Sequence, residues 1–182
     1  YVEAVGKAGL FPSLVETPSL SLVRASDIQL PNKLIIYSYF DEVIVTIADK
    51  EKIIVSSVVA SKSPNEIINT INSILRHYKE IKIENVLIGG FGIDKSLIDA
   101  LSKGLNKEVN ILSIKVKGLS DEDIQSYLIP LSLQFKSPSE PADENTINLL
   151  PKNIIEEYNA KHNKVRVWSL LMILTFIIWS SF

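Results

Sequence analysis

The pattern of hydrophobic and polar positions predicts a group of strands in the first third of the chain. Three runs rich in β-branched residues cover 33–39, 43–48 and 52–60, and short acidic turns separate them. This arrangement is typical of consecutive antiparallel strands. Upstream of them, residues 1–9 predict the end of a helix, and the alternation over 20–24 predicts a short strand.

Helical periodicity begins after the third of these runs. Ser63, Pro64 and Glu66 have the order of a capping box with proline at the first helical position, which predicts a helix that ends at about Lys79. Its isoleucines recur on one face, so we expect this helix to pack on the sheet.

The next segment predicts alternating strands and helices. A buried strand over 84–92 ends in a glycine turn, and Asp94 can cap the following helix. A strand over 109–114 precedes a second capping box at 120–123, which opens a helix to about Leu133. A strand meander followed by alternating helices and strands indicates an α/β class with a mixed sheet and packed helices.

A different composition begins at residue 136. Residues 136–145 contain two prolines and no apolar periodicity, which predicts a linker after a globular domain over 1–135. Residues 146–166 then combine a short apolar island with a basic helix. An apolar island after a flexible linker favours a docking peptide.

The end of the chain predicts a membrane segment. Residues 167–182 carry no charge and follow Lys161, Lys164 and Arg166. At a rise of about 1.5 Å per residue this run falls short of the ~30 Å hydrocarbon core, so we expect a transmembrane helix that is truncated. The positive flank predicts that the globular part is cytoplasmic. The first residue is Tyr1, not methionine, and we expect the chain to be a fragment.

Composition and charge exclude several kinds of function. The chain has 182 residues, a formal net charge of −2, no cysteine and two histidines. The absence of cysteine excludes disulfides, thiolate metal sites and a cysteine nucleophile. The small negative charge argues against nucleic-acid binding. No metal site is predicted.

The glycine turn is the candidate ligand site. Gly89, Gly90, Phe91 and Gly92 follow a strand and precede a helix, where missing Cβ atoms allow backbone to approach a nucleotide. The spacing matches neither the dinucleotide fingerprint nor the phosphate loop, so a tight structural turn is the alternative. The acidic run 121–123 is interpreted as a helix start, where acids are stabilised by the helix dipole.

Residues 1–135 resemble the later half of the PilM family, actin-like inner-membrane proteins of type IV pilus assembly in the same superfamily as the division protein FtsA. The resemblance lies in the glycine pair at the adenosine motif and in a segment before the strands. The matching residues of that segment are Ala8, Gly9, Leu10, Pro12, Val15, Glu16, Leu20, Leu22, Arg24 and Ala25.

Residues 146–182 resemble the start of the PilN family. The stretch Ile147, Asn148, Leu149, Leu150, Pro151 matches the INLLP motif with which PilN engages PilM. The resemblance implies that these five residues bind the actin-like domain, within one chain or between copies. It also implies other inner-membrane platform proteins and membrane lipid as partners.

The resemblance to actin-like ATPases implies the fold and a cofactor. The fold is the second half of an actin-like domain, and ATP is the implied cofactor at 89–92. The family has an aspartate-and-glycine turn that approaches the β-phosphate, whereas this chain has Ile36 to Phe40 there, without acid or glycine. Tyrosines would crowd a phosphate and supply no metal ligand, so we expect a scaffold without hydrolysis.

The sequence therefore predicts an assembly scaffold at the bacterial inner membrane, in a type IV pilus or related machine. A type II secretion platform protein similar to GspL is the first alternative, and it leaves the INLLP peptide unexplained. A membrane-tethered ATPase is an alternative of another class. An α/β interaction module that binds no nucleotide is the fourth hypothesis.

Overall fold

The computed structural model describes residues 2–9, 15–136 and 149–180. Contacts between Cα atoms divide the chain into two compact units. One unit combines residues 1–16 with 138–182, and the other is the continuous segment 17–137. The domain boundaries predicted from sequence stay predictions, and most of the predicted linker lies outside the described residues.

After the first three strands, helices and strands alternate as far as β5, and three helices follow. In chain order they are α1 (Val2–Lys7), α2 (Pro18–Ala25), β1 (Lys33–Tyr39), β2 (Glu42–Asp49), β3 (Lys52–Val59), α3 (Pro64–His77), β4 (Asn85–Gly90), α4 (Lys95–Leu105), β5 (Val109–Ile111), α5 (Asp121–Ser126), α6 (Leu128–Leu133) and α7 (Lys152–Ser180).

The continuous unit is built on a mixed five-stranded sheet of order β3-β2-β1-β4-β5. The first three strands form an antiparallel meander, and β4 and β5 run parallel to β1. The crossover through α3 brings β4 beside β1, as a parallel pair requires. The predicted α/β class with a mixed sheet is confirmed.

Helices cover both faces of this sheet. Alternate residues of β1 point to opposite faces, so Leu34 and Ile36 join one buried cluster and Ile35 and Tyr37 join the other. The first cluster includes Ile67 of α3 and side chains of α4. The second includes side chains of α2, α5 and α6. Because β1 is buried on both faces, the sheet is the middle of three layers, with helices on either side.

The strand predicted over 20–24 is wrong, because this segment forms α2. Pro18 lies at the start of this helix, and the Ser21 hydroxyl donates to the Pro18 carbonyl at 2.8 Å. Leu22 and Val23 are both buried, which an alternating strand with one buried face would not give. A window of five residues is too short to distinguish the periodicity of a helix from that of a strand.

Two capping predictions have different outcomes. Asp94 accepts from the Leu97 N–H at 2.8 Å, as a cap should. Ser63 makes no side-chain cap bond, and its own N–H donates to the Ser61 hydroxyl at 3.0 Å. The helix predicted from 120 to 133 is two helices, α5 and α6, divided at Tyr127. Pro130 has no N–H to donate across that division.

The transmembrane helix predicted over 167–182 is wrong. Among the residues that the structure describes, no helix combines the length and hydropathy needed to cross a membrane. The helix α7 has 29 residues, but its first half carries charged residues such as Lys152 and Glu156. Its uncharged part, from Val167 to Ser180, is about 21 Å long at 1.5 Å per residue, against about 30 Å of hydrocarbon.

We expect the meander to be sensitive to small losses of buried volume. Val45 on β2 is fully buried, whereas Val58 on β3 is 59% exposed. Val45→Ala should lower the free energy of unfolding by about 2 kcal/mol, because it removes two buried methyl groups and leaves a cavity. The matched variant Val58→Ala should change it by less than about 0.5 kcal/mol. Urea denaturation of both variants measures the difference, and equal losses would contradict the assigned faces.

Candidate functional site

A pocket of about 880 Å³ opens at the carboxyl ends of β4 and β5. Its size lies in the range of small-molecule sites. Apolar side chains and polar groups both contribute to its lining. The residues are Gly90, Phe91, Gly92, Ile93, Asp94, Lys95, Ile98, Ile111, Ser113, Asp121, Glu122, Gln125 and Ser126. They come from the glycine turn, α4, the end of β5 and α5, so the fold assembles the pocket from separate parts of the chain.

The glycine turn holds its shape through contacts between β4 and β1. Gly90 has a φ of +111°, and a Cβ there would lie 2.1 Å from the Ser38 carbonyl oxygen. Gly89 is different, because its Cβ would meet the Leu128 side chain at 2.6 Å. Gly90 is thus required by close backbone approach, whereas a side chain at Gly89 would come closest to the movable end of the Leu128 side chain on α6.

Two backbone amides of the turn already have partners. The Gly90 N–H donates to Gln125 Oε1 at 2.9 Å, and Gln125 Nε2 donates to the Leu112 carbonyl at 2.8 Å. The Phe91 N–H donates to the Ser38 carbonyl at 2.8 Å. Ser38 also donates its hydroxyl to the Phe91 carbonyl at 2.8 Å. These bonds join the turn to β1 and α5.

Aromatic rings cover the surface between the β1–β2 turn and the glycine turn. The distance between ring centroids is 6.3 Å for the stacked pair Tyr37 and Tyr39 and 4.7 Å for Tyr39 and Phe40. The centroids of Phe40 and Phe91 are 5.8 Å apart. Burial, with a smaller effect of Tyr39, raises the pKa of the Tyr37 hydroxyl. Tyr39, Phe40 and Phe91 are each about half exposed or more. The predicted crowding of this turn by aromatic side chains is present in the structure.

The charged groups of the pocket are mainly acidic. Asp94, Asp121 and Glu122 line it, against Lys95. The Leu97 N–H and the Ser96 hydroxyl hold the pKa of Asp94 below its usual value, so this carboxylate is ionised at neutral pH. Lys62 lies beside the turn, where its Nζ donates to the Phe91 carbonyl at 3.2 Å and stands 5.8 Å from the Phe91 ring centroid. Within the described ranges, no cluster of three or more histidine or acidic side chains could hold a metal ion.

The structure brings three of the four predicted ligand residues to the pocket. Gly90, Phe91 and Gly92 line it, while Gly89 faces α6 instead. Sequence reasoning missed Gln125 and the end of β5. It assigned Asp121 and Glu122 only a helix-start role. Nothing in the local pattern around Gln125 indicates a bond to Gly90, because the two residues are brought together only by the packing of α5 on the sheet.

The predicted docking peptide is described in part, in the unit formed by residues 1–16 and 138–182. Ile147 and Asn148 lie outside the described residues. The Leu149 N–H donates to the Val15 carbonyl at 2.8 Å. Leu150 is 5% exposed and Leu149 is 53% exposed. Pro151 is exposed and immediately precedes α7.

Solved structures with the same arrangement place the chain in a known fold. The PilM–PilN type IV pilus biogenesis complex aligns with a TM-score of 0.58 and 13% identity, over 75% of this chain and 56% of that one. The ethanolamine utilization protein EutJ from Carboxydothermus hydrogenoformans aligns with a TM-score of 0.55 and 12% identity, over 74% and 59%. A Bacteroides thetaiotaomicron protein with an actin-like ATPase fold aligns at 0.49 and 13%, over 66% and 45%.

The first two of these likenesses show the fold, which is an α/β actin-like fold. The chain spans about half the length of the structures it matches, 45 to 59%. No protein-family model and no curated protein sequence matches the chain.

We expect Gly90 to be far less tolerant of a side chain than another glycine with similar backbone. Gly90 and Gly118 both have positive φ, but a Cβ at Gly118 meets nothing within 4 Å. Gly118→Ala should therefore lower the free energy of unfolding only by the backbone strain, about 1 kcal/mol. Gly90→Ala should lower it by about 3 kcal/mol, since the added atom also separates β4 from β1.

Chemical denaturation of the two variants tests this difference. Equal destabilisation by Gly90→Ala and Gly118→Ala would show that the close contact with Ser38 is not a constraint on the fold.

Proposed function

We propose that this chain is an assembly scaffold of a type IV pilus or related machine, in which a PilN-type INLLP peptide docks onto an actin-like domain. Two features support the proposal together. The fold is shared with the PilM–PilN complex, and residues 147–151 carry the peptide sequence. The related machines include competence and secretion systems.

The contact between Leu149 and Val15, inside the unit formed by residues 1–16 and 138–182, supports the peptide part of this proposal. A main-chain hydrogen bond of 2.8 Å joins the peptide to a segment more than 130 residues earlier in the chain. Peptides that add to exposed backbone bind in this way, with main-chain bonds for affinity and alternate side chains for specificity. Leu149 and Leu150 are consecutive, and only Leu150 is buried. Leu150 is therefore the apolar anchor of the peptide.

Covalent attachment changes how strong the docking must be. A peptide tethered by a short flexible linker experiences an effective concentration in about the millimolar range. Contacts that would be weak between separate molecules then keep the peptide bound. The same peptide can engage a second copy of the chain, which gives the scaffold a way to assemble.

Adenine nucleotide is the proposed ligand of the pocket at residues 90–92, with Gly89 as a packing residue beneath it. The pocket lies at the carboxyl ends of parallel strands, where α/β folds bind ligands. Hydrolysis is not part of the proposal. Tyr39 and Phe40 carry no carboxylate themselves, and their rings occupy the surface of this turn, in which Asp41 follows them.

The proposed location is the inner membrane, with the globular part on its cytoplasmic side. Lys164 and Arg166 precede the uncharged part of α7, and basic side chains beside an apolar surface are attracted to the anionic lipids of the cytoplasmic leaflet. The exposed apolar side chains of α7, among them Trp168, Phe176 and Trp179, are the surface that lipid would contact.

We expect Leu150→Ala to release the docked peptide. The buried leucine should be worth about 2 kcal/mol or more of local stability. Amide exchange at residue 149 should then become faster by at least about tenfold, because each 1.4 kcal/mol changes an opening equilibrium tenfold. Hydrogen exchange of the full chain, read at the Leu149 amide, makes this measurement.

Leu149→Ala is the matched control. It removes the same number of atoms from a side chain that is half exposed, and it retains the N–H that bonds to Val15. Its exchange should stay within about threefold of the parent chain. Unchanged exchange in Leu150→Ala, or equal acceleration in both variants, would overturn the docking proposal.

A further inference from the structure

We infer that the pocket at the glycine turn binds the base and sugar of a nucleoside and takes no part of its affinity from phosphates. This inference rests on the proposed nucleotide site and names the class of ligand that the site selects. It concerns the pocket in the unit of residues 17–137, and the docking peptide does not enter it.

The first support is that two amides of the turn, those of Gly90 and Phe91, are already used. Phosphate loops bind through backbone N–H groups that point to the ligand. Here the Gly90 N–H donates to Gln125 Oε1 at 2.9 Å, and the Phe91 N–H donates to the Ser38 carbonyl at 2.8 Å. A phosphate would have to displace an internal partner from either amide. Displacing Gln125 would also disturb its bond to the Leu112 carbonyl.

The second support is the charge of the lining. Three carboxylates, Asp94, Asp121 and Glu122, face one lining cation, Lys95. A terminal phosphate carries about −1.5 to −2 charges at neutral pH and would add to this negative field. The neighbouring cation, Lys62, donates to the Phe91 carbonyl at 3.2 Å and lies over the Phe91 ring. The lining therefore opposes a polyphosphate and tolerates an uncharged ligand.

The third support is the surface toward the β1–β2 turn. The backbone of Phe40 has a φ of +34°, and its ring lies between those of Tyr39 and Phe91. In this position the chain presents exposed aromatic rings beside the pocket entrance. A phosphate that approached the backbone of this turn would have to move these rings.

The remaining lining suits a planar heterocycle with a sugar. Ile93, Ile98 and Ile111 provide apolar walls, and Phe91 provides an aromatic face. Ser113 and Ser126 supply hydroxyls, and the carboxylates accept from amino or hydroxyl groups. Adenosine, which has a base and a sugar but no phosphate, matches this set of groups.

Calorimetric titration of the full chain with adenosine and with ATP, at fixed ionic strength and with and without Mg²⁺, tests the inference. Adenosine should bind at least as tightly as ATP in both conditions. The double variant Asp121→Asn with Glu122→Gln keeps the size and one acceptor oxygen of each side chain but removes two negative charges. It should lower the ratio of the ATP Kd to the adenosine Kd by about fivefold.

Asp99→Asn provides the matched control, because Asp99 lies on α4, is exposed and does not line the pocket. It should leave the ratio unchanged. ATP binding about tenfold tighter than adenosine, or a ratio that the double variant does not alter, would overturn the inference while leaving a nucleotide site in place. Binding of neither ligand would overturn both the inference and the proposed nucleotide site. The docking proposal has its separate readout at Leu149.

Discussion

The close approach of Gly90 to the Ser38 carbonyl is the contact on which the rest of the structure depends. It brings the end of β4 against β1, the strand buried on both faces. Their parallel pairing continues from Lys33 and Asn85 to Ser38 and Gly90. Because a side chain at Gly90 would push these strands apart, the two helical layers and the pocket above the strand ends all depend on a missing Cβ.

The sequence predicted the sheet well because its signals were local. Strands such as β1 and β2 are β-branched runs bounded by turns, and their pattern needs no tertiary information. The short helix α2 was mistaken for a strand because five residues fit both periods. The split between α5 and α6 depends on Pro130, which lacks the backbone N–H that one continuous helix would need there.

The candidate site was predicted less completely, since its residues meet only in three dimensions. Gly89 and Gly90 are identical in sequence terms, yet one packs against Leu128 and the other against backbone. Gln125 reaches Gly90 across 35 positions of sequence. Local patterns can identify a glycine turn, but they cannot show which of its amides remain available to a ligand.

A turn that commits the amides of Gly90 and Phe91 to its own fold has a different physical character from one that cradles phosphates. An open phosphate loop leaves donors unsatisfied until a ligand arrives, so its ligand contributes directly to order. In this chain Gln125 and Ser38 satisfy the donors of Gly90 and Phe91 from within the fold. The turn is therefore ordered by the protein itself, and a nucleoside in the pocket would add to that order without being required for it. Such independence is compatible with the proposed scaffold, a function that does not call for nucleotide turnover.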